Sequence, residues 1–171
     1  MKAIFIGVAL LAVAGCAGKT PPEAARVHGI AATDAPAIDA CWRKVLTSPQ
    51  HQALKDRTGD HADSPTAAMK SNPAKVTPQE AALLRSLQQD YLAPCRRMAL
   101  ESAAKVHPAI VAILTDSYAR ADANAARLID REITWGEFVS ENQAIVTHRR
   151  AELLAAGESL QRDQQRTRPS R

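Results

Sequence analysis

The residues able to do chemistry are few and loosely spaced. Ser102-Ala103-Ala104-Lys105 sets a hydroxyl and an amine one helical turn apart, the separation at which a lysine can take a serine proton and make a nucleophile. Serine enzymes built on that pair also need a second serine motif and a Lys-Thr-Gly strand. Here Lys19-Thr20 is followed by Pro21, so Ser102 and Lys105 make a serine hydrolase only the weakest of three readings. His51, Asp60, His61 and Asp63 are residue types that bind zinc or a harder cation. The two histidines are not one turn apart, so these residues read as solvated and imply no metal. The sequence has no glycine-rich phosphate loop, no His-Glu-x-x-His and no nucleophile elbow. The chain is therefore read as non-catalytic and without a cofactor.

The N-terminus is more informative. Lys2 precedes an apolar run from Ala3 to Ala14, interrupted only by Gly7. A run of that length is short of the roughly 20 residues a spanning helix needs, and it has the layout of a secretory signal. It leads into Val13-Ala14-Gly15-Cys16, which resembles the lipobox of bacterial lipoproteins. That resemblance implies cleavage before Cys16, a diacylglyceryl group on its thiol and further acylation, such as palmitate, of the freed amine. It also implies outer-membrane sorting facing the periplasm, because Ala17 stands where an aspartate tends to retain such proteins in the inner membrane. Each buried methylene contributes about 0.8 kcal/mol, so several chains together anchor firmly.

Delivery to an oxidising space bears on the other thiols. With Cys16 set aside, Cys41 and Cys95 remain, and they are expected to form a disulfide. Cys41 shares a helical stripe with Ile38, Trp42 and Val45, and Cys95 shares one with Leu84, Leu87, Tyr91 and Met98. Both stripes should face a core.

The elements that position these residues read as helices throughout. Residues 16–36, with Pro21, Pro22, Gly29 and Pro36, read as a flexible lipidated tether behind a cleaved signal peptide, residues 1–15. Fully extended, that tether would reach on the order of 60–70 Å. A helical domain is expected over 37–161. Its first helix covers 37–46, with Ser48-Pro49 either stopping it or opening a short second piece that ends near Arg57. Residues 58–77, rich in proline and polar residues, read as an exposed mobile loop. Thr77-Pro78-Gln79-Glu80 combines a capping threonine, proline at the first helical position and glutamate at the third. The helix it starts should run to about Lys105 with a kink near Gln89 imposed by Pro94. Apolar residues from Ile110 to Ile129 recur at three and four, and Thr134-Trp135-Gly136-Glu137 is a second capping box opening a last helix. The fold expected is all-α, a small bundle built around a C-terminal helical hairpin, ending in a basic tail over 162–171.

The stretch from Tyr118 to Val146, with Ile133-Thr134-Trp135-Gly136-Glu137-Phe138 at its turn, resembles a hairpin of small uncharacterised proteobacterial lipoproteins and secreted proteins, a group that brings no established activity. Trp135 and Phe138 are either an exposed aromatic recognition site or a staple holding the hairpin shut, and the staple is favoured. Arg162, Arg166 and Arg168 could contact lipopolysaccharide or peptidoglycan carboxylates, against the plainer reading of a solvated helix end. A formal net charge of +4 is too mild to imply nucleic acid. The leading expectation is a lipid-anchored, non-catalytic envelope protein with a binding or structural role. The alternative is a small-ligand or enzyme-inhibitor module that uses the 58–77 loop.

Overall fold

The computed structural model describes residues 31–60 and 62–166, with the side chains of Gln164 and Gln165 excepted. Cys16, the signal peptide, most of the tether, His61 and Arg168 lie outside the described residues. Among the described residues the chain is all-α, with no strand.

Helix α1 spans Ala35–Thr47 and α2 spans Pro49–Thr58. Ser48 makes the corner between them: its hydroxyl donates to the Val45 carbonyl at 2.7 Å and accepts from the His51 amide at 3.2 Å. Pro49 fits there because the first helical position needs no amide donor. Gly59 ends α2 at φ 72°, a conformation natural to glycine. The first helix starts two residues earlier than expected, and residues 31–34 form a turn packed on the domain rather than a stretch of tether. The Ala31 amide donates to Ser102 Oγ at 2.9 Å, and Asp34 pairs with Lys105 at 2.9 Å.

A short helix α3, Ala67–Lys70, is followed by an extended stretch and by α4, Pro78–Ser86, which begins at a complete Thr77/Glu80 capping box. Where the kink is expected, Leu87–Leu92 forms a π-helical segment running directly into α5, Ala93–Ala104. The reason is Pro94, whose ring would collide with the carbonyl four residues back in an α-helix. The wider turn, in which the Ala93 amide reaches back to the Gln88 carbonyl, removes that collision. His107 then caps α6, Pro108–Ile129, its Nδ1 accepting from the Ala109 amide. Helix α7 runs over Trp135–Arg166.

The α6–α7 pair forms the most extensive helix contact and is the expected hairpin. Asn124, fully buried in it, donates to the Phe138 carbonyl at 2.9 Å and to Asn142 Oδ1 at 3.1 Å. Helix α5 packs on α6, and α1 packs on α5, where Cys41 and Cys95 are joined with Cα atoms 5.6 Å apart. The main core gathers Leu54, Val76, Leu84, Leu87, Leu128, Trp135 and Phe138. A smaller cluster of Ala103, Ile110, Leu114 and Leu153 fills the other end of the hairpin.

The second half of the 58–77 segment is not the exposed loop its composition suggests. A helix start leaves its first amides without intrahelical partners, and at α7 two of them find this segment: Trp135 N donates to the Ala74 carbonyl and Gly136 N to the Asn72 carbonyl, both at 2.9 Å. Val76 is buried, Lys75 Nζ donates to the Glu132 carbonyl, and Gln143 donates to the Asp63 carbonyl. The backbone lies so close that a Cβ on Gly136 would run into the Lys70 and Asn72 carbonyl oxygens. Polar side chains favour solvent, but here the backbone carbonyls of a polar segment cap a buried helix end.

Candidate functional site

Because α1 rests on α5 and α7 rests on α6 without an extensive contact between them, an open gap separates α1 from α7. This cleft of about 430 Å³ is walled by Ile38, Trp42 and Leu46 of α1 and by Val146 and Leu153 of α7, with Ala99, Leu114 and Tyr118 beneath. Asp39, Asp60, Ala62 and Asp63 also line it. Its volume lies within the roughly 300–1,000 Å³ of small-molecule pockets, and a mostly apolar lining with a few polar groups is their usual chemistry.

Arg149 is the unusual member. It stands on the apolar stripe of α7 between Ile145, Val146 and Leu153, partly withdrawn from water, and it has no ion pair or hydrogen bond among the described residues. Burial therefore disfavours its charged form, and nearby Arg96 adds to that, opposed only by Tyr118. The Tyr118 hydroxyl is likewise withdrawn from water, which pushes its pKa up, while Arg149 and Arg96 pull it back. Arg96 lies over the Tyr118 ring, 5.0 Å from its centroid, but its charge is met by Asp122. The uncompensated charge at this end of the cleft thus belongs to Arg149. Among the acidic residues, Asp60 pairs with Lys55 at 3.0 Å and Asp63 accepts from the neighbouring Ser64 hydroxyl at 2.9 Å. Asp39 has no ion pair among the described residues.

The residues singled out from sequence fall elsewhere, apart from Asp60 and Asp63. Ser102 is only 1% exposed and its oxygen is taken by the Ala31 amide. The Lys105 amine is bound to Asp34, whose carboxyl it holds below the ordinary range with help from the Ser102 hydroxyl. The two residues latch the turn over residues 31–34 onto α5, and Ser102 is not presented in a pocket. His51 is buried in the first turn of α2, and no group of three or more metal-ligating side chains occurs among the described residues. Trp135, with 0% exposure, and Phe138, with 6%, are core residues whose rings meet edge to face at 5.8 Å. Neither can serve as an exposed recognition site, because the loop and α6 cover them. Arg162 and Arg166 lie exposed near the end of α7.

The cleft is not legible in the sequence, because Tyr118 falls in the apolar rhythm of α6 and nothing local brings it beside Arg149 on α7. A usable signal is present: an arginine on the apolar stripe of a helix either extends its guanidinium to water or meets an anion. No helix among the described residues is long and apolar enough to cross a membrane. No protein-family model matches the chain, nor does any curated protein or solved structure.

Proposed function

We propose that this chain is a lipid-anchored, non-catalytic protein of the cell envelope, placed at the outer membrane facing the periplasm, whose helical domain is a binding module for a small amphipathic ligand. The anchor rests on Val13-Ala14-Gly15-Cys16 preceded by a short apolar run. The Cys41–Cys95 disulfide fits an oxidising compartment. The binding role rests on one observation, the cleft between α1 and α7 with Arg149 unpaired in its wall. A purely structural role gives no reason to keep a guanidinium at a core-facing position, since an apolar residue there would pack at no desolvation cost.

The cleft also reconciles the two leading readings from sequence, since the beginning of the 58–77 segment supplies Asp60, Ala62 and Asp63 to its lining. Its test is native mass spectrometry of the full chain extracted from membranes of its host, compared with Ala62→Trp, which places a large side chain at an exposed position of the cleft. The wild-type protein should carry a small molecule that the variant has lost. If neither protein carries a ligand or takes one up from a total cell extract, the binding role is wrong.

A further inference from the structure

The charges around the cleft specify more than an apolar ligand, and this step rests on the binding role just proposed. Arg149 sits among Val146, Leu153 and Tyr118 with no carboxylate of its own. A guanidinium in that position is matched by an anion supplied from outside, with Arg able to hold a phosphate or carboxylate through two parallel hydrogen bonds. The Tyr118 hydroxyl makes no hydrogen bond to another described residue and adds a donor beside it. Arg96 does not compete for the same ligand, because Asp122 already neutralises it.

The other polar lining has the opposite sign. Asp39, Asp60 and Asp63 all reach the cleft, and only Asp60 is paired with a cation. A ligand with an anion alone would satisfy Arg149 but bring its charge among carboxylates. A ligand with an ammonium alone would meet the carboxylates but be repelled by Arg149. The rest of the lining is apolar, with Ile38, Trp42 and Leu46 on one wall, Val146 and Leu153 on the other and Leu114 beneath, and is suited to a hydrocarbon chain.

We propose that the cleft binds a single-chain zwitterionic lipid, its phosphate on Arg149 and Tyr118, its ammonium toward Asp39 and Asp63, and its chain along the floor between α1 and α7. The occupant carries both charges because the cleft does.

The experiment uses the full chain, delipidated by exchange into a non-ionic detergent, and three probes of equal chain length titrated by native mass spectrometry. The probes are lysophosphatidylethanolamine, which has both charges, lysophosphatidylglycerol, which has only the anion, and an alkylamine, which has only the cation. The zwitterion should bind about tenfold or more tightly than either, and Arg149→Met should abolish most of that advantage. Arg162→Met, on the exposed end of the same helix, should leave it unchanged. Because Arg149→Met removes a charge that has no partner among the described residues, it should melt no lower than wild type, which separates lost binding from lost folding. Equal binding of the anionic lipid, or an unchanged preference in Arg149→Met, would overturn the assignment. Failure of all three probes, with Ala62→Trp still losing the molecule the native protein carries, would reject the lipid while leaving the binding cleft standing.

Discussion

At the scale of single residues, the hairpin turn is closed by a side chain that backbone geometry does not favour. Arg131 lies at φ 63° just beyond α6. The Glu132 amide reaches back to the Arg127 carbonyl and the Arg131 amide to the Leu128 carbonyl, both at 2.9 Å, the pairing that usually has glycine at this position. Arg131→Gly should therefore relieve strain and raise stability by about 0.5–1 kcal/mol, a rise in Tm of about 2–3 °C in a thermal melt. Five residues on, the opposite holds. Gly136→Ala pushes a methyl into the Lys70 and Asn72 carbonyl oxygens, which are backbone and cannot rotate away. It should cost about 1–3 kcal/mol, and hydrogen exchange should report faster opening at residues 70–76 than elsewhere. Equal protection in variant and wild type would mean the segment is not held by α7.

At the scale of elements, the helix starts carry the pH dependence. Glu137 is held below the ordinary carboxylate range by the Thr134 amide, then by the Thr134 hydroxyl, and Asp34 by Lys105 and then Ser102. At Glu80 burial acts the other way, but the Thr77 amide and hydroxyl together with Arg57 outweigh it. Each carboxylate has a lower pKa folded than unfolded, so its contribution is complete above the unfolded value and disappears as pH falls through the folded one. The domain should hold a level Tm down to about pH 5 and lose stability steadily below about pH 4, and Glu137→Gln should make that loss shallower. The disulfide works on a different pair of elements. It ties α1 to α5 across a sequence separation of 54 residues, for which chain entropy gives about 4 kcal/mol. Reduction, or the Cys41→Ser and Cys95→Ser pair, should lower the urea midpoint accordingly and loosen α1, the helix that forms one wall of the cleft.

For the whole molecule, the proposal to test is the lipid anchor at Cys16, about 15 residues ahead of the helical domain described above. Intact mass of protein extracted from host membranes should correspond to residues 16–171 plus acyl chains, with two cysteines alkylated only after reduction. Cys16→Ser should leave the signal uncut and remove the lipid. A wild-type mass without lipid would make the chain a secreted protein instead. The turn over residues 31–34 is held on α5 by Ser102 and Lys105, so Lys105→Ala should free that turn without disturbing the core.

Local chemistry was readable from the residues themselves. Thr77 with Glu80 and Thr134 with Glu137 announced two helix starts because a cap is satisfied within four residues. The three- and four-residue rhythm of Ile110, Leu114 and Leu128 announced the hairpin because an amphipathic helix must hide one face. Cys41 and Cys95 could be paired in advance because two thiols on core-facing stripes, in a chain whose N-terminus reads as an export signal, leave one partner each. What the tertiary structure decided were the matters that depend on residues far apart in the chain. The carbonyls of 72 and 74 cap α7, Ser102 and Lys105 latch the domain's first turn, and Trp135 lies under cover. Arg149 faces a cleft because α1 and α7 rest on different helices and do not close upon each other. No local rule states which surfaces will meet, so a polar segment, a serine–lysine pair and an arginine in an apolar stripe gained their roles only when the helices packed.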